Sequence, residues 1–498
     1  MTARELLSPL YSSGADAVLL PDVSVTLVTE NAAQAHKEAI FVCIRGTRAD
    51  GHDFAPSAYE KGCRLFVAEK ELPLPADAFV CIVSDARFTL ATLACRFFGN
   101  PSQKLSLIGI TGTKGKTTTA QFLFSILNDA GIPTGYIGTN GIRYASVFEE
   151  TQNTTPDALT FQRTLFEMHR AGIRVAVVEV SSQALMQHRV AGTRFATCVF
   201  TNLSPDHIGQ NEHLDFSHYA ACKRRLFHEF GANTVICNAD DEAAPFMLDG
   251  MTDARVLFCS AIDRAAHYRA GNIRLTRDTR YLGVSFSVCS EKEIAECIIP
   301  LPGAFNAQNA LLAAATANAV FEVPLSKAAS SLATATVDGR SEMIPLPSGA
   351  CAVIDYAHNG LSLHSLLSTL RQYRHNRLIC LFGSIGDRAK LRRRELGTVA
   401  EKLCDLCILT SDNPGSENAE AIIADIAEAF EGKNTPYLVI PDRAKAIQEA
   451  LALCKEGDIL VLAGKGHEHY QLVNGQKLPF SEREIVLEFC QTAPIRGR

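Results

Sequence analysis

Ile110-Thr-Gly-Thr-Lys-Gly-Lys-Thr-Thr-Thr119 is the stretch that decides how this chain is read. The apolar run Leu105–Ile110 leads into it and reads as a strand. Ala120–Ala130 follows and reads as a helix, with apolar residues at Phe122, Leu123, Ile126 and Leu127. Strand, Gly-rich turn and helix in that order build a phosphate cradle. Backbone N–H groups of the turn and the helix start point at an anion, a Lys adds a point charge, and the next hydroxyl can bind Mg²⁺. Here Gly112 and Gly115 let the backbone approach phosphate oxygens, Lys116 carries the charge and Thr117 the hydroxyl; Thr113, Lys114 and Thr118 complete the loop. The longer P-loop pattern needs Gly five residues before Gly115, where this chain has Ile110, so the motif is the shorter variant Gly-Thr-x-Gly-Lys-Thr. A Gly-rich turn with a chance Lys is the plain alternative; the flanking strand and helix argue against it.

Working outward, 498 residues are too many for one ordinary core, and domains of about 150 residues give a prior of about three. Apolar content of 47% with 20% charged residues fits a soluble globular protein, and a net charge of −6 advertises no basic face for nucleic acid. Met1-Thr-Ala-Arg-Glu-Leu-Leu7 lacks the apolar core of a signal peptide. The longest apolar runs, such as Val175–Val178 and Ile459–Ala463, are strand-sized, so no membrane span and a cytoplasmic chain are expected. The 16 cysteines are scattered, often inside apolar runs, which suits buried free thiols in a reducing compartment. The single Cys-x-x-Cys, Cys404-Asp-Leu-Cys407, has no second pair nearby and reads as structure rather than as a redox or zinc motif.

Three blocks emerge: 1–102, 103–338 and 339–498. The first holds the short apolar runs Ala39–Ile44 and Arg64–Ala68, and Asn100-Pro-Ser-Gln-Lys104 reads as a linker. The second alternates strand candidates (Val175–Val180, Thr197–Thr201, Thr234–Cys237) with helical segments. The third repeats this with Cys351–Asp355, Leu378–Phe382, Leu406–Thr410, Tyr437–Ile440 and Asp458–Leu462. The expected fold is therefore α/β in three domains: a central doubly wound sheet of P-loop type and a C-terminal Rossmann-like domain without a phosphate loop of its own.

Ligands of doubly wound sheets gather at the carboxyl ends of strands. Glu179-Val-Ser-Ser182 ends one such strand, and a carboxylate beside a P-loop Thr is a natural Mg²⁺ ligand. Thr201-Asn-Leu-Ser-Pro-Asp-His207 ends the next; His207 suits a metal or phosphate site. Lys223 lies between apolar neighbours on a helical stretch, with a solvated basic face as the alternative. Asn153-Thr-Thr-Pro156 either caps the following helix or binds an anion. Asn306 and Asn309 fall on one helix face, suiting a nucleobase or a cap. In the third block Asp355-Tyr-Ala-His358, Ser411-Asp-Asn-Pro414 and Gly464-Lys-Gly-His-Glu468 close three strands and imply one ligand-facing edge.

Together with Glu179–Arg189 and Gly339-Arg340, these motifs resemble the Mur ligases, and within them the tripeptide-synthetase branch, over nearly the whole chain. The resemblance implies an ATP-dependent, amide-forming ligase of peptidoglycan synthesis that activates a carboxylate as an acyl phosphate. ATP and Mg²⁺ are the implied cofactors, and the acceptor is UDP-N-acetylmuramoyl-L-alanyl-D-glutamate. It implies roles residue by residue. Lys116 and its loop (Gly112, Thr113, Lys114, Gly115, Thr117, Thr118) hold the ATP phosphates; Asn306, Arg340, Asp355 and His358 line the nucleotide. Thr117, Glu179 and His207 organise Mg²⁺, and Lys223, carbamylated, supplies a ligand for a second Mg²⁺; Lys116, Lys223 and His207 are the catalytic set. Glu30 in the N-terminal UDP-binding domain, with Asn153, Thr154, Thr155, Ser181, Ser182, Gln187 and Arg189, faces the UDP-muramoyl peptide. Arg393, Asp412, Asn413, Gly415, Gly464 and Glu468 face the incoming amino acid. A monomer that binds a free diamino acid, with no nucleic acid or membrane partner, is expected.

Departures from the pattern bear on the amino acid. Members that add meso-diaminopimelate usually carry Arg directly after Asp-Asn-Pro; here that residue is Gly415. A bidentate guanidinium is the group best suited to a distal carboxylate. Glu468 and Arg393 match the diaminopimelate pattern, whereas His207–His213 and His358-Asn-Gly-Leu361 look like lysine-adding members. L-lysine is the favoured expectation and meso-diaminopimelate the alternative. The family often has Asp-Ser-Arg where this chain has Thr29-Glu30-Asn31. A folylpolyglutamate synthase would lack the N-terminal block, and a nucleotide-dependent switch would not need the polar strand ends of the third block.

Overall fold

A computed structural model describes residues 1–10, 21–46, 49–206, 208–209, 212–278, 281–387 and 390–492. The chain forms two compact units, Met1–His267 with Ala315–Val323, and Tyr268–Ala314 with Pro324–Arg498.

The first unit contains two sheets. The N-terminal one is parallel: β1 (Leu27–Thr29), β2 (Ala39–Val42), β3 (Leu65–Ala68) and β4 (Phe79–Ile82) pair in that order. Val28, Ile40, Val42, Leu65 and Val67 pack on Leu90 and Leu93 of the helix Ala86–Phe97. The larger sheet is built around β5 (Ser106–Thr111), whose neighbours are β9 (Val175–Glu179) and β10 (Thr197–Phe200); β6 (Thr134–Gly138) continues one flank, and β11 (Thr234–Asn238) and β12 (Arg255–Ser260) the other. All these pairings are parallel. Two short antiparallel strands, β7 (Gly141–Tyr144) and β8 (Val147–Glu149), finish the β6 edge. Strands covered on both faces have no solvated side to alternate toward, and Val175-Ala-Val-Val178 is buried at every position. The core beneath holds Phe161, Phe195, Phe200 and Phe227, each worth about 1.5–3 kcal/mol in removed apolar surface.

The second unit carries three antiparallel strands, β13 (Tyr268–Arg277), β14 (Leu282–Cys289) and β15 (Ile294–Ile299). Its main sheet runs β16 (Glu342–Pro345), β17 (Cys351–Asp355), β21 (Ile459–Ala463), β18 (Leu378–Phe382), β19 (Leu406–Leu409), β20 (Tyr437–Val439), with β16 antiparallel at one edge and the rest parallel. A hairpin, β22 (Tyr470–Val473) with β23 (Gln476–Pro479), follows β21.

The α/β class and the parallel-dominated sheets match the sequence reading. The helix after the phosphate loop spans Lys116–Asp129 and so starts four residues before the apolar pattern does, because Lys116–Thr119 form its first turn over the loop. Sequence periodicity did not point to β13–β15.

Candidate active site

In register, Glu179 of β9 lies opposite Ile110 of β5, and Phe200 of β10 opposite Thr111. Three carboxyl strand ends therefore meet side by side: the phosphate loop, Glu179 and Thr201. The loop is stapled to the end of β10. Thr113 N–H donates to the Asn202 carbonyl (2.9 Å), Lys114 N–H to Asn202 Oδ1 (2.9 Å), and Thr201 Oγ1 to the Lys114 carbonyl (2.7 Å). Gly112 is required there: its φ is +153°, and a Cβ on it would collide with Thr201 Oγ1. Gly115, at φ +82°, precedes the helix without a side-chain cap. A helix start of this kind, without a side-chain cap, is where anions bind. Lys116 Nζ folds back to the carbonyls of Gly112 (2.8 Å) and Thr113 (3.0 Å).

Glu179 is fully buried. Its carboxylate accepts from Thr117 Oγ1 (2.8 Å), Tyr136 Oη (2.5 Å), Thr139 N–H (3.0 Å) and Thr139 Oγ1 (3.3 Å), all of them neutral donors. Burial, and then the Glu179 charge, hold the Tyr136 phenol well above its usual range, so it stays a donor. Lys223 is buried and donates a hydrogen bond to the Gly112 carbonyl (2.8 Å), its Nζ 4.6 Å from the centre of the Tyr219 ring. Burial, and then the charge of Lys116, push its ammonium well below the ordinary lysine range.

Lys116 and Lys223 line one cleft of about 230 Å³ together with Gln152, Asn153, Thr154, Ser181, Ser182, Gln183 and Arg189. Thr155 lies behind it, buried, donating to the Glu179 carbonyl (2.7 Å) and accepting from Ser181 N–H (3.1 Å). Arg189 is pinned by the Thr155 carbonyl (2.7 Å) and Gln187 Oε1 (2.8 Å). Thr118 is buried on the helix after Thr117, and Glu30 is exposed at the end of β1. His207 lies outside the described residues. Sequence reading passed over Tyr136 and Thr139, which sit 43 and 40 positions from Glu179; no local pattern marks them.

The second unit gathers its own strand ends, since Asp355 pairs with Ala463 in register. Asp355 accepts from Ser341 N–H (2.7 Å) and Ala357 N–H (2.9 Å); burial raises its carboxyl, and Arg340 works against that. The Arg340 guanidinium stands 5.6 Å from the centre of the Tyr356 ring, and His358 Nδ1 is 2.9 Å from the Tyr356 carbonyl. Asn306 donates to the Pro302 carbonyl (2.8 Å) and accepts from Asn309 (2.9 Å). Lys465, which sequence reading did not single out, is fully buried between Asp412 (3.5 Å), Asn413 (2.9 Å) and Glu468 (3.1 Å). Gly464 N–H donates to the Asp355 carbonyl (3.0 Å). Arg393 is buried and held by Asp425 (2.7 Å) and Glu417 (2.7 Å). Gly415 adopts φ +63°, and a Cβ there would run into Asp387 Oδ2.

The Mur ligase middle domain matches residues 110–317, the Mur ligase glutamate ligase domain 339–466, and the Mur ligase catalytic domain 24–97. A UDP-N-acetylmuramoyl-L-alanyl-D-glutamate–2,6-diaminopimelate ligase of Chlorobaculum tepidum is 40% identical over 476 residues, 94% of this chain and 92% of that one. The enzyme of the same name from Caldanaerobacter subterraneus is 36% identical over 468 residues, 94% and 95% of the two chains. A solved structure of a 2,6-diaminopimelate ligase superposes with a TM-score of 0.71 at 27% identity, covering 99% of both chains. The chain belongs to the Mur ligase family, and is an ATP-dependent ligase that forms amide bonds. These relatives do not support L-lysine as the favoured amino acid; their names carry the alternative, diaminopimelate. Among the described residues no helix is long and apolar enough to cross a membrane.

Proposed function

We propose that the chain joins 2,6-diaminopimelate to the D-glutamate carboxylate of UDP-N-acetylmuramoyl-L-alanyl-D-glutamate, in the cytoplasm, as a monomer of three functional segments near 1–102, 103–338 and 339–498. The observation that carries this reading is the single cleft lined by a phosphate-loop lysine, a second buried lysine and the polar residues Asn153, Thr154, Ser181 and Arg189. In this reading ATP phosphates lie on Gly112–Thr118, and Lys116 leaves its carbonyl partners to neutralise charge on the transferred phosphoryl group. Arg189, already oriented by Thr155 and Gln187, meets the muramoyl peptide with Asn153 and Thr154. Asn306, Arg340, Asp355 and His358 serve the nucleotide, and the Asp412, Asn413, Glu468 cluster serves the amino acid.

The donor set fits Mg²⁺. A fully buried carboxylate with only neutral donors and a Thr hydroxyl beside it offer hard oxygens without a protein cation to satisfy them. Thr117 and Glu179, with His207, would hold it, a carbamate on Lys223 would supply a ligand for a second Mg²⁺, and bound Mg²⁺ supplies Lewis-acid neutralisation of phosphoryl charge. The depressed pKa of Lys223 favours its neutral amine, the form a carbamate requires, because only a neutral amine adds to CO₂.

L-lysine remains the second reading for one reason: Gly415 offers no side chain, and the Asp387 carboxylate occupies the space where one would begin. Phosphate release is to be measured with UDP-muramoyl-dipeptide and a panel of meso-diaminopimelate, L-lysine and L-ornithine. Release driven best by diaminopimelate supports the proposal; a preference for L-lysine replaces it with the second reading. Release independent of both substrates would point instead to a nucleotide switch.

A further inference from the structure

Beyond the groups assigned above, His213, His218 and Cys222 bring one ligand atom each within 4.8 Å of one another. His213 and Cys222 are buried and His218 is half-buried. The chain builds this cluster locally. Asp215 caps the helix Phe216–His228 by accepting from His218 N–H (2.7 Å), which fixes where the helix begins. His218 and Cys222 then lie one turn apart on the same face. His213 precedes the helix, its ring edge-on to His218 with centroids 5.1 Å apart, and its Nε2 is 2.9 Å from Ser182 Oγ. Two imidazoles and a thiol are a poor set for Mg²⁺, which takes hard oxygens. They are the donors of borderline-soft ions, and three protein ligands with one open position is a recurrent zinc arrangement.

We propose that His213, His218 and Cys222 form a site for a zinc-class divalent ion, with water as fourth ligand, separate from the Thr117–Glu179 oxygen set. On binding, the Cys222 thiol releases its proton to solvent and a metal–sulfur bond forms; nothing is oxidised or reduced. The ion ties the segment ahead of the helix to its first two turns. It thereby links Ser182, which lines the cleft and bonds His213, to the residue immediately before Lys223. This inference stands whether or not diaminopimelate is the substrate.

The test uses the full chain, stripped by chelation and kept in excess Mg²⁺, with Co²⁺ as the spectroscopic probe. The expected result is a thiolate-to-cobalt charge-transfer band that saturates at one ion per chain, is abolished by Zn²⁺ and is missing in Cys222→Ser. Zn²⁺ should also raise the melting temperature of the native chain by a few degrees, because it binds the folded form preferentially. His218→Gln, at a half-buried position, should keep cooperative unfolding and bind Co²⁺ at least about tenfold more weakly. A charge-transfer band of undiminished intensity in Cys222→Ser, or Co²⁺ affinity unchanged in His218→Gln, overturns the proposal.

Discussion

Glu179 and Glu482 are both buried carboxylates, and the protein handles them in opposite ways. Glu482 meets the guanidinium of Arg443 at 2.7 and 2.9 Å, with both side chains sealed from solvent. Burial still raises its carboxyl, and Arg443 pulls the other way. Glu179 meets hydroxyls and a backbone N–H only. The same contrast separates the two lysines. Lys465 sits between Asp412 and Glu468, whereas Lys223 points at a carbonyl and an aromatic ring. A buried charge matched by its own chain is architecture. One whose hydrogen-bond partners are all neutral is held ready for a charge that arrives with a ligand, and it costs the fold stability in the meantime.

The sharpest way to break this contrast is Glu179→Gln. The amide keeps the size of the group and removes its charge, so turnover should fall on the order of 10³-fold, as for the loss of a preorganised electrostatic group, with Mg²⁺ dependence altered. The denaturation midpoint should move little; a large loss of stability would make Glu179 architectural. Lys223→Ala should reduce turnover by about 10²-fold or more, with partial recovery on adding short carboxylic acids that stand in for a carbamate. Full activity in that variant would remove Lys223 from the reaction.

Glu482→Gln tests the other side. Leaving Arg443 buried and unpaired should cost about 3–5 kcal/mol by urea denaturation. A change below about 1 kcal/mol would mean that Arg443 finds other acceptors, such as the carbonyls of Ser411 and Ala463 that it already contacts.

The pH dependence has a sign. Lys223's folded value lies below that of the unfolded chain, so between the two the unfolded chain binds more protons, and stability rises with pH across that window up to about the ordinary lysine value of 10.5. In CO₂-free buffer the native chain should therefore gain stability relative to Lys223→Met as pH rises toward 10.5. Parallel curves for the two would show that Lys223 is not desolvated. The smallest effect is expected at Gly415→Ala, where φ +63° and the Asp387 carboxylate oppose a methyl group, at a cost of about 1–2 kcal/mol in thermal unfolding.

Much of the fold was legible because strands buried on both faces read as unbroken apolar runs; Cys351–Asp355 and Leu378–Phe382 were found that way, Asp458–Leu462 was found one residue early for the strand Ile459–Ala463, and all three strands are buried throughout. The strands β13–β15 were not, because their exposed positions interrupt the run, as Ile294–Ile299 with only two buried residues illustrates. At the candidate site, the loop Gly112–Thr118 and Glu179 were visible as local patterns. Tyr136 and Thr139 were not, since a phenol inside an apolar strand looks like core until its partner is known. Lys465 was hidden for a similar reason: a lysine between two glycines looks like a turn until Asp412 and Glu468 are seen to surround it.

The order of residues alone determined the α/β class, the phosphate loop and the ligase family, because those rest on short-range patterns of polarity, glycine and charge. Only the three-dimensional arrangement decided which buried charges are neutralised inside the chain and which are not. That distinction depends on partners tens of residues away, and on an energy of burial that exists only once water has been excluded.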